Sequence, residues 1–283
     1  MKQIENENII SFEKNGINYL QFKRLLEYKD IIQHAYCLGT DVDFRTSLPN
    51  KGKISDEKLN NAVNDYKNLC DSLDLDYLNV VKTNQEHTDN IQIVNKKHNA
   101  NAMDINLEAY DKTDGFITNK SNLVLSTTNA DCILMLFFDP KTKTIANIHS
   151  GWKGTLLRIS EKTVKKMIEQ LKVNPKDLIC CICPSIRQCH FEVDKEVKDC
   201  FKKEFSCFGE NQLNKIIKKQ ENVDKWNIDT VLINKLMLLE CGLDEKNIID
   251  SGLCSVCNSE IMHSFRVEKD NYGLSTAIIS LKW

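Results

Sequence analysis

The stretch CILMLFFDPKTKTIANIHSGWKGT, residues 132–155, constrains the fold most. Its two apolar runs, CILMLFFD and TIANIHS, read as antiparallel strands joined across Asp-Pro-Lys-Thr. A cysteine and a histidine stand at the outer ends of this hairpin, where a purely structural core would not require them. A turn centred between Pro140 and Lys141 sets residues whose numbers add to 281 opposite each other, which pairs Cys132 with His149. Opposed Cβ atoms lie about 4.5–5.5 Å apart. A zinc ion with Zn–S of ~2.3 Å and Zn–N of ~2.0–2.1 Å spans that gap. The inference depends on register, because a slip of one residue puts the two side chains on opposite faces.

Two ligands do not make a site, and His87 in the polar loop NQEHTDN is the best third donor. Three protein ligands with one position open is the arrangement of a catalytic zinc. The competing reading is a buried thiol and a hydrogen-bonded histidine, both common in cores. After His149, the segment SGWKGT leads a strand into a helix start. Gly151 and Gly154 permit close approach of the backbone, and Lys153 offers a charge, so an anion-binding edge is one expectation and a glycine turn with a packed Trp152 the other.

Composition narrows the partners. The formal net charge is −2 over 283 residues, with 28% charged and 41% hydrophobic residues. No basic footprint for nucleic acid is visible. The longest apolar runs, ILMLFF and LICCIC, fall far short of the ~20 residues that cross a bilayer. The opening MKQIENENIISFEKNG has no apolar signal core. The expectation is a cytoplasmic protein, monomer or homodimer, acting on a small molecule without a membrane. Twelve cysteines in a reducing compartment read as buried thiols or metal ligands. Cys254 and Cys257 form a C-x-x-C, and Cys180, Cys181, Cys183 and Cys189 cluster earlier. They are either buried thiols or the ligands of a second, structural zinc. His190 and His263 read as structural, and His34 as a packing or pocket-edge residue.

The pattern along the chain mixes strands and helices without a regular βαβ period. It predicts a hairpin turning at Asn15-Gly16, a helix capped by Ser55, strands YLNVVKT and NIQIVNK around the His87 loop, and a strand NLVLSTT. Beyond the central hairpin it predicts one helix from Thr155 to Leu171, a buried strand DLICCICPS, a helix DKEVKDCFKKEF, and a helix capped by Asp229 and stopped by Gly242. The tail HSFRVEKDNYGLSTAIISLKW reads as two strands. The fold class is α/β or α+β with a large mixed sheet, and residues 1–283 are expected to form a single domain.

Five segments in order, NQEHTDN, TTNADC, IANIHSGWKGT, CPSIRQCHFEV and HSFRVEKDNYG, resemble the YfiH-type laccase-domain family, also called polyphenol oxidases. The resemblance runs from about Asn84 to Gly273, and Ala-Asp-Cys followed by His-x-Gly-Trp-x-Gly is its most specific part. It implies a layered α/β/β/α sandwich. It implies a metal, usually zinc, on His87, Cys132 and His149. It also implies purine nucleoside chemistry: phosphorolysis of adenosine, inosine, guanosine or methylthioadenosine, and deamination of adenosine. Departures fall on the substrate side. The family's Arg-x-Gly-Gly segment has no double glycine here, with Arg45 as the nearest arginine. Val267 replaces the second arginine of the Ser-[Tyr/Phe]-Arg-Arg strand, leaving Arg266, and Cys183 replaces a glycine.

In this reading Arg45, Lys153 and Arg266 are phosphate partners, Gln85 a substrate contact, and Asp131 a proton-transfer group beside Cys132 and His149. For Asp131 the alternative is a carboxylate that orients a ligand histidine. Two rival functions fit the same residues, and a non-enzymatic, partner-binding role is a third reading. One is copper oxidation of polyphenols. The other is a metal-free hydrolase or amidase, with Cys132 as nucleophile and His149 as base, editing peptidoglycan precursors.

Overall fold

The structure is a computed structural model that describes residues 3–47, 54–82, 84–95 and 112–282; the ends of two predicted strands, Thr83 and Lys96, lie outside these. The N-terminal part forms β1 (Ile9–Lys14), β2 (Ile17–Phe22), α1 (Lys23–Leu26), β3 (Ile32–Leu38) and α2 (Asp56–Ser72). Next come β4 (Val80–Lys82), β5 (Ile91–Ile93), β6 (Gly115–Thr118) and β7 (Val124–Asn129). The central hairpin is β8 (Ile133–Asp139) and β9 (Thr144–Ser150), followed by α3 (Trp152–Leu156) and α4 (Ile159–Leu171). Then follow β10 (Ile179–Ile182), β11 (Glu192–Val193), α5 (Lys195–Glu204), α6 (Glu210–Ile216), β12 (Ile217–Lys219) and β13 (Trp226–Ile228). The chain closes with α7 (Thr230–Glu240), β14 (Ile248–Asp250), α8 (Phe265–Glu268) and β15 (Ser275–Leu281).

Two six-stranded sheets, ordered β1-β2-β3-β15-β7-β4 and β14-β10-β8-β9-β6-β5, stack face to face. The strands alternate, so each sheet has two apolar faces to cover. Leu134, Leu136, Phe138 and Ile145 of the second sheet meet Phe22, Tyr36, Leu125 and Ile279 of the first. On the outer face of the second sheet, Met135, Phe137 and Ile148 pack under Val164 and Met167 of α4 and Leu238 of α7. On the outer face of the first, Tyr19, Ala35 and Ile278 pack under Tyr66 and Leu69 of α2. The architecture is therefore the expected α/β/β/α sandwich. A small third sheet, β11-β13-β12, packs with α5, α6 and α7 through Phe201, Phe205 and Met237.

Several local signals act as read. Asn15 and Gly16 both have positive φ, 53° and 74°, as a type I′ turn requires. Ser55 and Asp229 accept hydrogen bonds from Lys58 N and Leu232 N at their helix starts. Three expectations need correction. The helix expected from Thr155 starts at Trp152 instead and breaks at Arg158, which is left-handed (φ 59°, ψ 41°). Arg158 bonds there to Glu161 and Glu204, which offsets the strain. The tail has one strand, not two: Ser264 caps a single helical turn at 265–268 before β15.

The hairpin register differs as well. Leu134, not Cys132, lies opposite His149, because opposed residues add to 283. The turn is one residue later than expected. Asp139 accepts hydrogen bonds from Lys141 N and from Thr142 N and Oγ1, and Lys143 adopts φ 51°. The resulting slip is two residues, an even number, so faces are preserved. Cys132 stands two residues from Leu134 and at the same end of the sandwich as His149.

Candidate metal centre and the cavity beside it

His87, Cys132 and His149 present ligand atoms that all lie within 4.8 Å of one another. Cys132 Sγ is 3.7 Å from His87 Nε2. The two imidazoles meet edge to face, with centroids 4.8 Å apart. The donors come from separate segments: His87 from the loop after β4, Cys132 from the bend just before β8, His149 from the end of β9.

A residue outside the sequence-predicted set organises this group. Asp114, fully buried, accepts from His149 Nδ1 at 2.8 Å. The same carboxylate accepts from the backbone N–H groups of His87 (3.0 Å) and Thr88 (2.8 Å) and from Thr88 Oγ1 (2.7 Å). It thus orients one candidate ligand and pins the loop carrying another. A carboxylate on the far nitrogen of a histidine fixes the tautomer and leaves Nε2 for an ion. Burial would push the Asp114 carboxyl up, but the bonds from His149 and Thr88 hold it below the usual range. In the sequence it appears only as Thr-Asp-Gly before an apolar strand, which signals a turn. Nothing local links it to a histidine 35 residues on.

Two backbone features support the arrangement. His87 (φ 59°) and Asp131 (φ 83°) are both left-handed without being glycine, at about 1–3 kcal/mol each. Gly151 explains itself by space rather than torsion: a Cβ there would stand 2.4 Å from His87 Cδ2 and 3.3 Å from Cys132 Sγ. A Cβ on Gly154 would meet Thr88 O at 3.3 Å. The two glycines of SGWKGT therefore serve the approach of the His87 loop.

The donors suit a thiophilic divalent ion. Burial raises the pKa of the Cys132 thiol, but the charge of His149 and hydrogen bonds from both histidines overcome it and hold the thiol well down. A thiolate with two imidazoles matches zinc, or copper, better than a hard cation.

The group opens into a cavity of about 570 Å³, within the usual size for a small-molecule site. Trp152, Ile186, Phe191, Val197, Phe265 and Tyr272 give it apolar and aromatic walls. Its cations are Arg45, Lys82 and Arg266. Arg45 stacks on the Tyr272 ring at 4.3 Å, and its buried Nε, 3.9 Å from Asp43 Oδ2, has no hydrogen-bond partner among the described residues. Lys82 donates to Phe44 O (2.9 Å) and Thr46 Oγ1 (3.0 Å), and burial lowers its pKa to about 8. Lys82 was not distinguishable in sequence from any lysine at a strand end.

Other sequence-predicted residues fall differently. Lys153 is exposed, over the Trp152 ring, and does not line the cavity. Gln85 spends both ends of its amide on the backbone of Thr128, with Nε2 donating to O and Oε1 accepting from N, each at 2.7 Å. It braces that backbone while lining the cavity. Asp131 lines the cavity, but its oxygens accept from Ser255 Oγ (2.6 Å) and Arg266 N (2.7 Å). It positions Arg266 and not a histidine. Arg266 itself donates to Glu192 O at 3.2 Å.

A family model described as multi-copper polyphenol oxidoreductase laccase matches residues 45–282. The chain is 28% identical over 233 residues to purine nucleoside phosphorylase YlmD of Bacillus subtilis, covering 82% of each chain. It is 28% identical over 198 residues to adenosine deaminase RL5 of an unknown prokaryotic organism, covering 70% of this chain and 73% of the relative. In fold it resembles the crystal structure of the hypothetical protein YfiH of Bacillus licheniformis, with a TM-score of 0.79 at 24% identity over 93% of this chain and 96% of that one. Among the described residues no helix is long and apolar enough to cross a membrane.

Proposed function

The chain belongs to the multi-copper polyphenol oxidoreductase laccase family, and from that membership we propose a zinc-dependent enzyme of purine nucleosides. It cleaves adenosine, inosine, guanosine or methylthioadenosine with phosphate, and it deaminates adenosine. The observation that carries this reading is one cavity that joins three convergent soft donors, braced by Asp114, to aromatic walls and three cations. The names of the two similar enzymes support it, since one is a nucleoside phosphorylase and the other an adenosine deaminase.

His87, Cys132 and His149 would hold the ion. When bound, zinc supplies a Lewis acid and lowers the pKa of a coordinated water to ~7. The rest is chemistry of the chain's own side chains. Phe191, Phe265 and Tyr272 offer π-faces and exclude water around a purine. Arg45, whose Nε makes no hydrogen bond among the described residues, and Lys82, which keeps its proton on Nζ at neutral pH, attract the phosphate dianion. In phosphorolysis a phosphate oxygen bonds C1′ as the C1′–N9 bond breaks, and the leaving purine takes a proton. Asp131 holds Arg266 N and so fixes the edge of the cavity against which the sugar phosphate forms.

One geometric feature favours a second reading. Cys132, His149 and Asp114 have the order of a nucleophile, base and orienting carboxylate. That arrangement does not call for His87, 3.7 Å from the thiol, so zinc remains the better account. The test is one incubation series: chelated protein, then zinc- and copper-reconstituted protein, with adenosine with and without phosphate, and with a phenol. Zinc-restored adenine and ribose 1-phosphate, with inosine formed without phosphate, is the expected result. Full activity after complete chelation would establish the thiol enzyme instead. Phenol oxidation with copper and no nucleoside turnover would establish the oxidase.

A further inference from the structure

A second set of donors lies apart from the first. Cys189 and His190, in the loop between β10 and β11, meet Cys254 and Cys257, in the turn after β14, with one ligand atom from each inside 4.8 Å of the others. The edges of this group can be compared with those of a tetrahedron around an ion. Bonds of ~2.3 Å to sulfur and ~2.0–2.1 Å to nitrogen imply edges of about 3.8 Å between sulfurs and about 3.5 Å between sulfur and nitrogen. Cys189 Sγ lies 3.7 Å from Cys254 Sγ and 4.0 Å from Cys257 Sγ. His190 Nδ1 lies 3.2, 3.6 and 3.5 Å from Cys189, Cys254 and Cys257. The sulfurs are far beyond the ~2.05 Å of a disulfide. Cys180, Cys181 and Cys183 take no part, since their side chains are buried in the two sheet cores.

We propose that Cys189, His190, Cys254 and Cys257 bind a zinc ion in a closed, four-ligand structural site distinct from the three-donor centre. Three thiolates and one imidazole fill the coordination of zinc and leave no position for a reactant. The site staples two segments that form the cavity edge. Cys254 pairs with Ser185 in an isolated bridge, and Ser255 Oγ donates to Asp131 beside Cys132. Phe191 and Glu192, which line the cavity, directly follow His190. The bidentate pair of Arg187 with Asp250, with its longer contact at 2.9 Å, joins the same two segments nearby. The ion therefore fixes the wall against which substrate rests without touching it.

Zinc per chain, measured on protein purified under reducing conditions, tests this. Wild type is expected to hold two equivalents, Cys257→Ser one and His149→Ala one. Cobalt in place of zinc reads the ligands directly: thiolate-to-cobalt absorption falls sharply in Cys257→Ser and in Cys189→Ser, and only slightly in His149→Ala. One zinc in wild type that Cys257→Ser retains would overturn the proposal. So would two equivalents unaffected by either cysteine variant, or a Cys189–Cys254 disulfide found by mass after alkylation. Loss of zinc in Cys257→Ser with none in His149→Ala would support this site while removing the catalytic zinc of the proposed function, so the two readings fail separately.

Discussion

At Gly151 the main chain comes so near the His87 ring that a methyl group has no room. An added Cβ at 2.4 Å from Cδ2 is closer than real contacts allow, so the ring must move. Gly151→Ala is expected to lower kcat/KM roughly 100-fold, as an ångström-scale misplacement does, with far-UV circular dichroism unchanged. Asp114→Asn addresses the same centre from behind. It keeps a neutral acceptor but loses the charge that fixes His149 and the loop, and zinc affinity should fall about 10–100-fold in a chelator competition. Lys82 tests the substrate side. Burial depresses its pKa to about 8, so its folded form loses the proton before its unfolded form does. Between about 8 and ~10.4 the unfolded chain binds more protons, and stability rises with pH in that window. Lys82→Met should lack that rise in urea titrations at pH 7 and 10. Its phosphate KM should stand about tenfold above wild type at pH 7, ~1.4 kcal/mol, and stay flat where the wild-type value climbs above pH 8. A wild-type phosphate KM constant from pH 7 to 9 would take Lys82 out of the phosphate site.

The β8–β9 hairpin sets how far side-chain positions could be read in advance. Its strands are legible because β8 is apolar at every position but Asp139 and β9 carries Ile145, Ala146 and Ile148 after a Pro-containing turn. Its register was not, because the turn is fixed by the Asp139 side chain and a left-handed Lys143, which composition does not announce. The error was harmless only because an even slip keeps faces. The convergence of His87, Cys132 and His149 was thus readable, while Asp114, which brings it about, was not. Its partners depend on tertiary pairing of β6 with β9. For the same reason the sequence does not separate Gln85, which lines the cavity, from Lys153, which lies outside it: a polar loop residue near a site looks alike whichever way it faces. Asn147, two residues before His149, shows what holds the hairpin to the facing sheet. Its amide donates to Leu125 O (2.9 Å) and Ala277 O (2.8 Å) and accepts from Thr127 Oγ1. Both amide hydrogens and the amide oxygen are engaged in a buried interface. Asn147→Ala should cost about 2–3 kcal/mol in urea unfolding, because it strands buried polar groups as well as removing bonds. A loss no greater than that of an exposed alanine substitution would show that apolar packing alone aligns the sheets.

The layers and the small third sheet meet around the cavity, so stability and activity should be coupled across the molecule. We propose that residues 1–283 form one cooperative domain, since the cavity draws walls from both large sheets and from the third-sheet region. Asp250 sits where these parts join: at the end of β14, it pairs with Arg187 of the loop toward β11 and with Lys235 of α7. Burial would raise its carboxyl, but the bonds and charge of Arg187, then Lys235, hold it far below the usual range. A depressed carboxylate stabilises the fold fully above its unfolded pKa of ~3.9 and loses that contribution as pH falls below it. Asp250→Asn leaves two cations partly buried without their partner and should cost about 3 kcal/mol at pH 7. The difference from wild type should shrink steadily as pH drops below about 4, since the unfolded wild-type chain then takes up a proton at Asp250 that the folded chain, with its depressed carboxyl, does not. If the chain is one domain, urea unfolding of Asp250→Asn stays a single transition by fluorescence and circular dichroism, shifted as a whole. Two separated transitions, with only one moved, would mean that the third-sheet region unfolds independently and that the cavity wall it supplies is a docked part.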